Sequence, residues 1–189
     1  NLLEAKNDEV VQSCPLGGLA VRTIAIIGAG VAGMTCAVEF AERGAAVKVV
    51  SPEKGFQDRG KVWNIKLLES IDQHTRVVAL AHTHWADGTL FDLESLRQRT
   101  REVGALLIID GTQSVGAVPF DVQKIQPDAL VCAAYKWLLG PYSIGLAYYG
   151  DYFNDGRPVE ENWINRRDSE NFSGLVNYEN RYQPGAARY

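Results

Sequence analysis

Methionine occurs once and cysteine three times in these 189 residues. Cys14, Cys36 and Cys132 are odd in number and far apart, which argues against a disulfide framework or a paired-cysteine zinc site and leads us to expect a reducing, cytoplasmic setting. The three histidines form no cluster at metal-ligand spacing, and no Ser-His-Asp order suggests a nucleophilic triad. Apolar runs are short and interrupted, so none is read as a bilayer span. No long basic run is present. A net charge of -4 and a pI near 5.4 leave no electrostatic footprint for nucleic acid. The opening NLLEAKNDEVVQS is polar where a secretory leader would be apolar. The first residue is Asn and the last segment reads PGAARY, from which we expect a piece of something larger.

What is present is ordinary for a globular protein: 46% hydrophobic and 22% charged residues, enough for one well-buried domain or two truncated ones. Residues 1–22, with CPLGG, read as a loop or tail. TIAIIGAGVAGMTCAVEFAERGAAVKVVSPE reads as strand (23–27), glycine turn, helix (about 31–43) and strand (46–50). Met34, Ala37, Val38 and Ala41 form that helix's apolar stripe, and Gly44 is its C-cap. The polar, glycine-containing SPEKGFQDRGK marks a boundary, dividing a Rossmann-like βαβ unit (23–55) from a second region (62–189). In the second region NIKLLESI reads as helix and residues 76–81 as a buried strand. FDLESLRQRTREVG reads as an amphipathic helix with Leu93, Leu96 and Thr100 on one face, ended by Gly104. Residues 105–109, 128–133 and 143–150 read as further strands. Strands alternating with helices predict an α/β fold, a mainly parallel sheet with helices on both faces.

Two residues carry the chemistry. Asp110 closes the apolar run ALLIID, and Lys136 follows the apolar run of DALVCAAYKWLLGP. In an open α/β sheet ligands gather beyond the carboxyl ends of the strands, which is where both residues fall. A lysine flanked by Tyr135, Trp137, Leu138 and Leu139 is expected to be partly desolvated, favouring the neutral, reactive amine. Such an amine can hold an aldehyde cofactor as a Schiff base, while a carboxylate keeps a pyridine nitrogen protonated. His82, His84 and Trp85 follow another strand on the same edge and are candidates for substrate contact. Asp87-Gly88 reads as a turn.

LIIDGTQSVG followed by YKWLLGP, with VVALAHTHWADGTLFDL before and EENWINR after, resembles the class V, fold-type I pyridoxal-phosphate enzymes. These include cysteine desulfurases, kynureninase and related aminotransferases. The likeness runs from about Val62 to the end and implies a truncated large domain of that fold. It implies pyridoxal 5'-phosphate as cofactor, an amino-acid substrate and a homodimer. Asp110 would pair with the pyridinium nitrogen, Gln113 with the ring's phenolic oxygen and Tyr135 with the phosphate. Lys136 would form the Schiff base and then move the proton at the substrate α-carbon. Many relatives have histidine where Tyr135 stands and serine where Ala133 stands. Both departures, with Cys132 in a strand where core packing is expected, argue against a desulfurase. Amino-group transfer is the first choice, with epimerisation or β-elimination next. The family's upstream phosphate loop and its C-terminal arginine for the substrate carboxylate find no match in this sequence.

GAGVAG (Gly28, Gly30, Gly33) is a GxGxxG turn between strand and helix, the context of a dinucleotide fingerprint. Residues 23–53 are similar to the opening of FAD-dependent amine and glycine oxidases, which implies FAD. Ser51 and Glu53 depart from the acid expected to grip the ribose. Either the chain is a mosaic joined near residues 53–63, the preferred reading, or the turn cradles the pyridoxal phosphate. An oxidoreductase fragment and a remnant that binds nothing are the alternatives to the pyridoxal-phosphate enzyme.

Overall fold

The computed structural model describes residues 23–27, 46–50 and 59–189 other than 159 and 178. The expected tail 1–22, the helix 31–43 and residues 51–58 of the boundary segment lie outside the described residues, whereas its last three residues, 59–61, open a helix. Six strands make one sheet: β1 (Thr23–Ile27), β2 (Ala46–Val50), β3 (Thr75–Ala81), β4 (Leu106–Asp110), β5 (Ala129–Ala133) and β6 (Gly145–Tyr149). Their order is β2-β1-β3-β4-β5-β6. Every pairing is parallel except β5 with β6, which is antiparallel. β1 pairs with β3, so the two regions distinguished in the sequence share one sheet.

Along β3 and β4 burial alternates because successive side chains point to opposite faces. Val78 and Leu80 of β3, Leu107 and Ile109 of β4, and Leu130 of β5 are buried on one face. Three helices supply the other half of that core: α1 (Arg59–Ser70), α2 (Leu93–Val103) and the single turn α3 (Val122–Ile125). α2 buries Leu93, Leu96, Thr100 and Val103, a stripe at helical spacing. Asp92 caps its start, accepting the Ser95 N–H at 3.0 Å. Gly104 closes its end in the left-handed conformation, φ 72°. α3 is too short to show a hydrophobic period; Asp121 caps it by accepting from the N–H groups of Gln123 and Lys124.

The starts of β4 and β5 are tied together by Asp128. Its carboxylate takes Arg97 of α2 at 2.6 and 3.3 Å and the Leu107 N–H at 2.7 Å. Both side chains of the ion pair are largely buried. This junction anchors the lower end of the sheet and leaves the carboxyl ends of β3, β4 and β5 together at the opposite edge.

Candidate functional site

β4 ends on Asp110, and the chain then folds tightly over itself. The N–H groups of Ser114 and Val115 both donate to the Gly111 carbonyl, at 3.0 and 2.8 Å. Asp110 is exposed, and its Oδ1 accepts the Thr112 N–H at 2.9 Å. Its backbone carbonyl accepts the His82 N–H at 3.1 Å, which joins the end of β3 to the end of β4. The Gly111 N–H donates to Val131 O at 2.7 Å, joining β4 to β5. Three strand ends are therefore laced together around one carboxylate.

β5 leads into the turn that carries Lys136. Ala134 donates its N–H to Ile144 O and accepts the Gly140 N–H, both at 2.9 Å, so the turn is closed across its base. Leu139 at its tip has φ 54° and is 89% exposed. Tyr135 stacks on Tyr142, centroids 4.7 Å apart and planes 16° from parallel. The Lys136 Nζ lies 5.8 Å from the Tyr135 ring centroid.

An open cleft of about 550 Å³ lies at this edge, lined by Asp110, Thr112, Val131, Cys132, Tyr135 and residues of β6 among others. Asp110 and Tyr135 thus face one cleft. Lys136 lies in the adjoining turn, and neither it nor Gln113 is part of the lining. Lys136 and its neighbour Leu138 are half-buried. Tyr135, Trp137 and Leu139, the alternate residues on either side of them, are exposed. Gly28, Gly30 and Gly33 lie outside the described residues.

His82 is 6% exposed, its ring edge-on to Phe120 at 5.5 Å, and burial lowers its pKa. Its Nδ1 has no hydrogen-bond partner among the described residues. It packs beneath the edge, whereas Trp85 is 69% exposed and His84 contacts Asp87, Nδ1 to Oδ1 2.9 Å. Asp87 and Gly88 (φ 72°) do form a turn, with Asp87 accepting the Thr89 N–H at 3.0 Å. Burial raises the Asp87 pKa, but hydrogen bonds from Thr89 and His84 outweigh it and leave the carboxyl lowered. Cys132 is buried, as expected of core packing. Burial, then the charge of Asp110, push its thiol pKa up.

Sequence reading missed Thr112 and Gly116. Thr112 Oγ1 accepts the Ala133 N–H at 3.0 Å, a contact across 21 residues. Gly116 has φ 95°, and a Cβ there would come within 2.7 Å of the Trp137 carbonyl oxygen. The glycine in DGTQSVG was a visible signal for the second; the first is a tertiary contact with no local pattern. Among the described residues no group of three or more His, Cys, Asp or Glu could hold a metal ion. No helix among them is long and apolar enough to cross a membrane.

A probable cysteine desulfurase of Methanothermobacter thermautotrophicus is 34% identical over 107 residues, covering 57% of this chain and 26% of that protein. A kynureninase of Pseudomonas fluorescens is 34% identical over 128 residues, 66% of this chain and 29% of that one. The chain thus spans between a quarter and a third of the length of these relatives. Among solved structures, the cysteine desulfurase of Thermococcus onnurineus NA1 superposes with a TM-score of 0.67 at 21% identity, over 89% of this chain and 40% of that one. A C-DES mutant with glycine covalently linked to the PLP cofactor gives 0.72 at 20% identity, over 92% and 45%. At such identities the superpositions establish a common fold, that of the large domain expected from the motifs. The family model of class-V aminotransferases matches residues 17–160. That match begins well before Val62 and takes in residues 23–53, which the sequence reading sets apart as an oxidase-like opening. With most of its length matched and its sheet in the same fold, this chain belongs to the aminotransferase class-V family.

Proposed function

We propose that the chain carries part of a pyridoxal-phosphate site that transforms an amino acid, with amino-group transfer as the reaction. One observation carries the reading. Asp110 ends β4 and Lys136 lies in the turn after β5, and these neighbouring parallel strands bring both to one sheet edge.

The cleft at that edge suits a planar pyridine ring in its chemistry. One oxygen of Asp110 is engaged by Thr112, and the other accepts no hydrogen bond among the described residues. Val131, Ala133 and Ala147 give an apolar wall, and an amine stands in the next turn. Once bound, the coenzyme supplies an electron sink for charge developing at the substrate α-carbon. Asp110 would keep the ring nitrogen protonated, Gln113 would meet the phenolic oxygen and Tyr135 the phosphate. Lys136 would hold the coenzyme and supply the group that moves the α-proton. The names of the matched relatives span a probable desulfurase, a kynureninase and an uncharacterized aminotransferase, YcbU of Bacillus subtilis. Amino transfer is preferred to desulfuration because Cys132, the one cysteine among the described residues, is buried and its pKa is raised, favouring the thiol. A homodimer is part of the same proposal.

The experiment mixes the purified chain with pyridoxal phosphate and, separately, with FAD, and records visible spectra of wild type and Lys136→Ala. The expected result is a protein-bound band with pyridoxal phosphate that Lys136→Ala lacks. A retained flavin spectrum without that band would replace this reading by an oxidoreductase. Neither signal would leave a fold that binds nothing.

A further inference from the structure

The end of the β4–β5 ladder contains a substitution of side chain for backbone. In the antiparallel pairing of β5 with β6, Ala134 donates to Ile144 O, so the preceding residue turns its N–H the other way, toward β4. The last backbone bond from β4 to β5 is Gly111 N–H to Val131 O at 2.7 Å. Beyond Gly111 the chain curls away, its N–H groups at Ser114 and Val115 both turned back to Gly111 O. The Ala133 N–H therefore finds no backbone carbonyl on β4. The Thr112 hydroxyl takes that place, Oγ1 accepting the N–H at 3.0 Å. The Thr112 N–H donates to Asp110 Oδ1 at 2.9 Å. One residue thus joins the carboxylate on one strand to the backbone three positions before Lys136 on the next. The constraint passes onward through Ala134, whose carbonyl closes the Lys136 turn by accepting the Gly140 N–H at 2.9 Å.

We infer that Thr112 is a positioning residue: its hydroxyl clamps the base of the Lys136 turn to the end of β4 and so holds amine and Asp110 carboxylate at a constant separation along the sheet edge. The inference rests on the coenzyme reading above and adds a residue to it. What matters is an acceptor at this position, since an unmatched N–H at the base of the turn would loosen it. Serine keeps the acceptor. Valine keeps the shape and removes it.

The test compares wild type, Thr112→Val and Thr112→Ser in the same 189-residue chain. Two quantities are read: hydrogen exchange at the Ala133 amide without coenzyme, and pyridoxal-phosphate affinity with the pH midpoint of the Lys136-dependent visible band. Thr112→Val should raise Ala133 exchange about tenfold or more, weaken affinity about tenfold and displace the midpoint. Thr112→Ser should stay within about threefold of wild type in both. Circular dichroism must show the same fold in all three; if Thr112→Val does not fold, Thr112→Ala replaces it as the acceptor-free variant. Wild-type exchange and affinity in the acceptor-free variant would overturn the inference. So would equal damage from serine, because volume rather than the acceptor would then matter. Failure of the coenzyme reading is distinguishable: it appears in the wild type itself as the absence of any Lys136-dependent band, and the inference falls with it.

Discussion

Gly116 is packed face to face with the peptide of Trp137. A Cβ at Gly116 would stand 2.7 Å from the Trp137 carbonyl oxygen and 2.9 Å from its carbon. Because these are backbone atoms, neither can swing aside. The turn after Asp110 and the turn carrying Lys136 are therefore held in contact by the absence of a side chain.

Gly116→Ala should cost about 2 kcal/mol or more. The cost combines left-handed strain at φ 95° with displacement of the Trp137 peptide. Gly88→Ala is the control. Its φ is 72°, but nothing lies within 4 Å of an added Cβ, so it carries only the backbone cost of about 1 kcal/mol. Urea unfolding of both variants measures the difference. Pyridoxal-phosphate affinity should fall in Gly116→Ala alone, since only that substitution moves the residue next to Lys136. Equal costs and equal affinities would show that the two turns do not depend on this contact.

The pH dependence of stability should contain a contribution from His82. Burial against Phe120 lowers its pKa in the folded chain below the unfolded value of about 6.5. The unfolded chain therefore takes up the proton more readily. The stabilisation is complete above the unfolded pKa and is lost as pH falls through it toward the folded value. Urea unfolding at pH 8 and pH 5.5 should show a larger loss on acidification in wild type than in His82→Leu. Parallel losses in the two proteins would mean that the ring is protonated equally well in both states.

Much of this geometry was legible in the sequence because it is local. The Leu93, Leu96 and Thr100 stripe, ended by Gly104, marks one helix face and its C-terminal end, and the structure buries that face. The apolar runs ending at Asp110 and before Lys136 located two strands. What escaped depends on contacts between distant segments. Asp128 reads as the opening residue of a strand, yet its partners are Arg97, 31 residues away, and the Leu107 N–H, 21 away. α3 has four residues, fewer than a period of apolar spacing needs. The apolar neighbours of Lys136 suggested enclosure, but composition does not say which of them a turn exposes: Tyr135, Trp137 and Leu139 are exposed and Leu138 is half-buried. Thr112 was passed over because its partner amide becomes available only when β6 has paired with β5.

Cys132 borders the cleft without being poised to react there. Its side chain is buried, its Sγ approaches Ala133 O at 3.6 Å, and both burial and the Asp110 carboxylate favour the protonated thiol. The nucleophilic form of cysteine is the thiolate, so the site suppresses it twice over. In a chain carrying Cys14→Ser and Cys36→Ser, labelling of Cys132 by a disulfide reagent at pH 8 should be at least about tenfold slower than in urea. Adding Asp110→Asn removes the repulsive charge while leaving the burial, and should speed native labelling at constant pH without reaching the unfolded rate. Rapid labelling of the native chain would instead place an accessible thiolate at the cleft and reopen sulfur transfer as the reaction. Unchanged labelling in Asp110→Asn would separate the thiol from the carboxylate, leaving burial alone to account for its low reactivity.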